Sequence, residues 1–135
     1  MLGYLLDTNI ISELTRNPRG SVYKRIARVG ESSVATSIVV ATELRYGVQK
    51  SGSSRLAEHV DQLLSAIAIL PLEPPADRHY GEIRHHLYRA GTPIGPNDLL
   101  IAAQARAEDL TVVTTNQREF ARVPGLKVEN WLSGG

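Results

Sequence analysis

What most constrains this chain is an alternation: short apolar or β-branched runs recur between longer stretches with helical spacing. Residues 2–6 are apolar or small at consecutive positions and stop at Asp7. A strand buried on both faces of a sheet reads that way. Residues 33–36 and 68–70 make two more short runs. Residues 110–114 (Leu-Thr-Val-Val-Thr) form the clearest strand, being short and β-branched. Residues 126–128 supply a last, edge strand. Between these runs the spacing turns helical. Thr8 and Asn9 are capping residues, followed by Ile10, Ile11 and Leu14, and Asn17-Pro18-Arg19-Gly20 breaks that helix. Further helices are predicted over 21–29, from an N-cap at Ser37 to 48, over 55–67 with Leu56, Val60, Leu63, Leu64 and Ile67 on one face, after Pro74-Pro75, and over 97–107. Strands alternating with helices predict an α/β fold, with a central, mainly parallel sheet flanked by helices. No repeat or linker interrupts the pattern, so residues 1–132 read as one domain and 133–135 as a flexible tail.

Composition narrows the function classes. The chain has 135 residues, 42% hydrophobic and 21% charged, enough for one domain with a real core. Its apolar runs are far shorter than the roughly 20 residues of a membrane span. The N-terminus lacks a basic region ahead of its apolar run, which argues against a secretory signal. No cysteine is present, which removes disulfides and thiolate metal sites and makes a cytoplasmic address the expectation. The net charge of +1 does not announce nucleic-acid binding, yet basic residues along one groove are compatible with it. There is no Gly-x-x-x-x-Gly-Lys loop for a nucleoside triphosphate.

In open α/β sheets, sites form outside the carboxyl ends of the strands. Asp7 sits at such an end, although an acid there also serves as a helix cap. Glu43 shares a helix face with Val39, Val40, Tyr46 and Gly47. An acid on so apolar a face is costly unless paired or bound to a metal. Its neighbour Arg45, two positions away, is badly placed to pair with it. Asp98 falls in the first turn of a helix, where the dipole favours an acid regardless of function. The polar segment 114–120 (Thr-Thr-Asn-Gln-Arg-Glu-Phe) leaves the carboxyl end of the clearest strand, where Thr and Asn also suit a capped turn. Each signal alone is weak. Together they place oxygen-rich side chains at similar topological positions. Acids brought close raise one another's pKa, and a hard divalent cation relieves this. Such a site suits phosphate chemistry through metal-activated water.

Five segments carry a resemblance: residues 4–9 (Tyr-Leu-Leu-Asp-Thr-Asn), 41–47 (Ala-Thr-Glu-Leu-Arg-Tyr-Gly), 94–103 (Ile-Gly-Pro-Asn-Asp-Leu-Leu-Ile-Ala-Ala), 113–120 and 123–126 (Val-Pro-Gly-Leu). In order and spacing they resemble the PIN-domain proteins, specifically the VapC toxin branch of bacterial toxin–antitoxin pairs, over essentially the whole chain. The resemblance implies a PIN fold and a metal-dependent endoribonuclease, often acting on a structured RNA such as tRNA. It also implies a homodimer silenced by a cognate antitoxin, and Mg²⁺, with Mn²⁺ as substitute. Asp7, Glu43 and Asp98 match the family's first three acids. Asp7 and Asp98 correspond to direct metal ligands, and Glu43 to a group ligating through water or orienting the attacking water. The family's fourth acid is replaced by Asn116, which weakens the case for a second metal, and Glu119 is placed to supply the missing carboxylate. Thr8 and Thr115 are expected to hydrogen-bond Asp7 or bound water.

Other residues read more plainly. His59, His79, His85 and His86 are surface or packing residues, since adjacent histidines on a helix point apart. Asp77 and Glu82 are expected to be solvated, and Trp131 to pack the C-terminus. Arg16, Arg45, Lys50, Arg89 and Arg118 are candidates to line an RNA groove. The amphipathic first two helices, with Ile10 and Leu14, are a candidate dimer or antitoxin surface. Two functional alternatives stand beside the ribonuclease. A phosphatase or DNA nuclease would use the same acids, and a catalytically silent PIN-like RNA- or protein-binding module would account for Asn116.

Overall fold

Buried parallel strands need apolar side chains on both faces, and β1 (Tyr4–Leu6) meets that need with Leu5 and Leu6 fully buried. It lies at the centre of a five-stranded sheet of order β3-β2-β1-β4-β5, built from β2 (Val34–Ser37), β3 (Ala68–Leu70), β4 (Thr111–Val113) and β5 (Val128–Glu129). The computed structural model describes residues 1–132; the predicted tail at 133–135 lies outside the described residues. Every pairing is parallel. Leu6 registers with Thr36 on one side and with Val113 on the other, while Thr36 pairs with Ile69 and Val112 with Val128.

The helices follow the predicted periodicity. They are α1 (Thr8–Arg16), α2 (Ser21–Val29), α3 (Ile38–Ser51), α4 (Ser54–Ala66), α5 (Ala76–Ala90), α6 (Pro96–Ala107) and the single-turn α7 (Gln117–Phe120). Ser37 caps α3 as expected, accepting from the Val39 amide at 3.0 Å. That helix runs past 48 to Ser51, where Gly52 takes the left-handed conformation that ends it. Helix α1 departs from expectation. Its cap is Asp7, whose Oδ1 accepts from the Thr8 amide at 2.8 Å, so Thr8 and Asn9 already belong to the first turn. Helix α6 starts on Pro96, whose missing N–H costs nothing in a first turn. The expected turn after β4 holds α7, with Phe120 fully buried. The edge strand lies slightly later than predicted, because Val128 and Glu129 are the residues in register with β4.

The last described residues are anchored. Trp131 is 2% exposed, meets Tyr4 edge-on at 5.2 Å and donates its indole N–H to Glu129. Arg106 on α6 donates to His79 Nδ1 (2.8 Å), Glu82 Oε1 (2.6 Å) and the Pro124 carbonyl (3.1 Å). Glu82 is therefore ion-paired rather than merely solvated, a contact between helices that periodicity along one helix does not reveal. Asp77 stays exposed. Among the described residues, no helix is long and apolar enough to cross a membrane.

Ile10 lies in the core, while the nearly buried Leu14 also forms part of a groove wall. They are 0% and 9% exposed, because α1 turns its apolar face into the core. Charges placed there would unfold the chain rather than separate partners. The apolar surface left open near α1 is instead a groove of about 280 Å³ shared by α1, α2 and α4, with Tyr23, Ile26, Leu63 and Ile67 in its lining.

Candidate active site

The chain runs β1, β2, β3 outward to one edge, then returns to place β4 on the other side of β1. That reversal falls between β1 and β4, and open α/β sheets bind their ligands outside the carboxyl ends of the strands at such a point. Asp7 follows β1 directly, and its amide donates to the Val113 carbonyl at 2.9 Å. The same register continued by one residue sets Thr114 beside it. Helix α3 brings Glu43, the first turn of α6 brings Asp98, and α7 brings Asn116 at its start and Glu119 one turn on.

Asp7 is only 4% exposed, and burial raises its pKa above the usual carboxylate value. Its hydrogen bonds from Thr114 Oγ1 to Oδ2 (2.7 Å) and from the Thr8 amide to Oδ1 act the other way, and the Glu43 charge adds to the rise. Thr8 also donates its hydroxyl to Glu43 Oε1 at 2.7 Å, so one residue holds two acids. Glu43 is half-buried as its helix face predicts. Arg45 turns away and pairs with Asp61 on α4.

Asp98 is half-buried, and its pKa is pushed up to about 6. Burial is the largest cause. The Asp7 charge follows, then a hydrogen bond with Glu119 and the charges of Glu119 and Glu43. Asn116 answers part of this strain, since its Nδ2 donates to Asp98 Oδ2 at 3.1 Å. An aspartate at that position would bring a further negative charge instead of a donor. Among the described residues none of Asp7, Glu43, Asp98 and Glu119 is ion-paired. Nor, among those residues, is any group of three or more acids and histidines gathered tightly enough to hold a metal ion as it stands.

The structure thus brings together Asp7, Glu43, Asp98, Asn116 and Glu119. It changes the supporting roles. Thr8 gives its hydroxyl to Glu43 and only its amide to Asp7, while Thr115 accepts from Asn9 Nδ2 at 3.2 Å and does not bond Asp7. The group that does is Thr114, fully buried, which also accepts from the Asn116 amide at 2.9 Å. The signal for it was the register of β1 on β4, which a linear reading lacks. Thr114→Val removes both bonds in an isosteric side chain. It is expected to cost about 1–3 kcal/mol in chemical denaturation and to lower any metal-dependent activity about tenfold. Thr114→Ser restores both, and an unchanged Val variant would remove Thr114 from the site.

Comparison with known proteins bears on the family of the chain. A family profile described as the PIN domain matches residues 4–126. A tRNA(fMet)-specific endonuclease VapC of Shigella flexneri is 39% identical over 132 residues, covering 97% of this chain and 99% of that protein. Among solved structures, VapBC2 from Rickettsia felis bound to a promoter DNA fragment superposes with TM-score 0.88 at 38% identity, covering 97% of this chain and 99% of the other. DNA-bound VapBC from Salmonella typhimurium gives TM-score 0.87 at 36% identity, with the same coverage. With fold and sequence in agreement over nearly the full length, the chain belongs to the PIN-domain family, in its VapC branch.

Proposed function

We propose that this chain is the toxin of a toxin–antitoxin pair, acting in the cytoplasm as a Mg²⁺-dependent endoribonuclease, with a structured RNA such as tRNA as substrate. The observation that carries this reading is the convergence of Asp7, Glu43, Asp98 and Glu119 at one end of the sheet, tied together through Thr8, Thr114 and Asn116 and with no ion pair among the described residues. Burial and the neighbouring charges raise the Asp98 pKa accordingly. Acids held together without an ion pair gain most from a hard cation. The donor set is all oxygen, as Mg²⁺ and Mn²⁺ require. Mg²⁺ is commonly held by one or two carboxylates and keeps several of its waters, which suits acids that do not close into a cage. Asp7 and Asp98 are the residues to hold it. When bound, the ion supplies positive charge to the phosphate and lowers the pKa of water to make a nucleophile. Glu43, held by the Thr8 hydroxyl, would orient the attacking water. Asn116 fixes the Asp98 carboxylate, and Glu119 adds a carboxylate at the same rim.

The names of the relatives support the partners. The Shigella protein is named for tRNA(fMet), and the solved neighbours are VapBC complexes. An antitoxin on the groove between α1, α2 and α4 fits the apolar lining there, and the toxin is read as a homodimer. The silent binding module remains the second reading, favoured by the Asn116 amide that already satisfies Asp98.

The deciding experiment incubates antitoxin-free protein with a total small-RNA pool, with and without Mg²⁺ or Mn²⁺, beside Asp98→Asn. Discrete fragments that need the metal and vanish in the variant are expected. Folded wild type that binds RNA without cutting it would establish the silent module. Cutting that survives in Asp98→Asn would remove the site assignment.

A further inference from the structure

Helix α3 carries an arrangement beside Glu43 that neither the fold nor the acid site explains. Tyr46 follows Glu43 by three residues and Gly47 by four, so they flank it on one helix face. Side chains on a helix lean toward its N-terminus, so a residue at position 46 leans toward the turn that bears Glu43. Tyr46 is 68% exposed, and no ring stacking or cation contact engages it among the described residues. Gly47 stands inside a regular helix, where glycine is among the poorest formers. Its backbone is not in the left-handed region, and an added Cβ would meet nothing within 4 Å. Neither the conformation nor the packing of this chain therefore calls for glycine at 47.

We propose that Tyr46 and Gly47 form a nucleotide seat at the rim of the acid site. A base stacks on the Tyr46 ring while the sugar–phosphate backbone passes close over Gly47 toward Glu43. The inference rests on the ribonuclease reading and deepens it. An aromatic face binds a base only when that base is unstacked, so the seat selects a single-stranded nucleotide next to the cleaved bond. Both residues adjoin the acid that orients the attacking water, which favours RNA over a second copy of the chain as occupant.

The test measures binding of a short fluorescein-labelled oligoadenylate by anisotropy, in the Asp98→Asn background, with sedimentation and thermal melting alongside. Tyr46→Ala is expected to bind about tenfold more weakly and Tyr46→Phe within about twofold of the parent. Gly47→Ala should also bind more weakly while melting at a higher temperature, because alanine is the better helix former. A merely structural glycine would not pair those two changes. If the parent binds RNA and both alanine variants match it, the seat is refuted and the ribonuclease reading stands. A fall in sedimenting mass in Tyr46→Ala would show that a second copy covers this face, which also refutes the seat. A parent that binds no RNA, from a wild type that cuts none, overturns both readings together.

Discussion

Asp7→Asn is expected to abolish RNA cleavage by more than about a hundredfold while leaving the protein as stable as the wild type, or more so. The two effects have one cause. Asp7 is nearly fully buried, and burial opposes its charge. Burial therefore works against the charged form of this carboxyl, which asparagine does not have. Asparagine keeps the oxygen that accepts from the Thr8 amide, so α1 remains capped. The Thr114 hydroxyl, which donates to the other carboxylate oxygen and accepts from the Asn116 amide, keeps an amide partner at that position. What disappears is the ionisable carboxyl, and with it the proposed hold on a divalent cation. Asp7→Ala separates the roles, since it loses the cap as well and is expected to cost about 1 kcal/mol relative to asparagine. Melting curves and cleavage assays on both variants decide the matter. Active Asp7→Asn would mean that Asp7 is simply a helix cap. An inactive variant melting well below wild type would mean that its loss of activity reports unfolding.

Asp7 shows how much of this geometry a linear reading can reach. Asp7, Glu43 and Asp98 were legible because each stands where local rules put it: at a strand end, on an apolar helix face, in a first helical turn. Their convergence followed from α/β topology, because crevices form at the carboxyl ends of strands. Thr114 was not legible as the partner of Asp7. Thr8, Thr114 and Thr115 look alike in sequence, and only the register Leu6 to Val113 selects among them. The same limit applies to Arg106 and Glu82, which meet across α5 and α6. Ile10 and Leu14 illustrate a different one. An amphipathic helix announces an apolar face without saying whether the core or a partner covers it, and here the core does. Helix α7 escaped because a single turn is too short to show a period.

The acids also set a pH dependence whose sign distinguishes a metal site from an ordinary polar cluster. Asp98 titrates near 6 in the folded metal-free chain against about 3.8 for the ordinary carboxyl, and Asp7 is shifted in the same direction. A raised carboxyl binds its proton more tightly when folded. Its contribution to stability is fully present below pH about 3.8 and is lost as pH rises through about 6. Comparing wild type with Asp98→Asn isolates that contribution. Without metal, the wild type is expected to lose about 1 kcal/mol relative to the variant between pH 4 and pH 7, a figure discounted for solvent screening at a half-buried group. Mg²⁺ competes with the same protons and stabilises by mass action. Its effect on the melting temperature should therefore be small at about pH 5, grow as Asp98 ionises near 6, and shrink in Asp98→Asn. A wild type that gains stability over the variant as pH rises would mean that Asp98 is paired in the folded chain and not strained. A Mg²⁺ shift independent of pH would place the ion elsewhere. The predicted pattern, a metal effect that appears as the proton leaves, requires the cation and the proton to compete for one group of carboxylates.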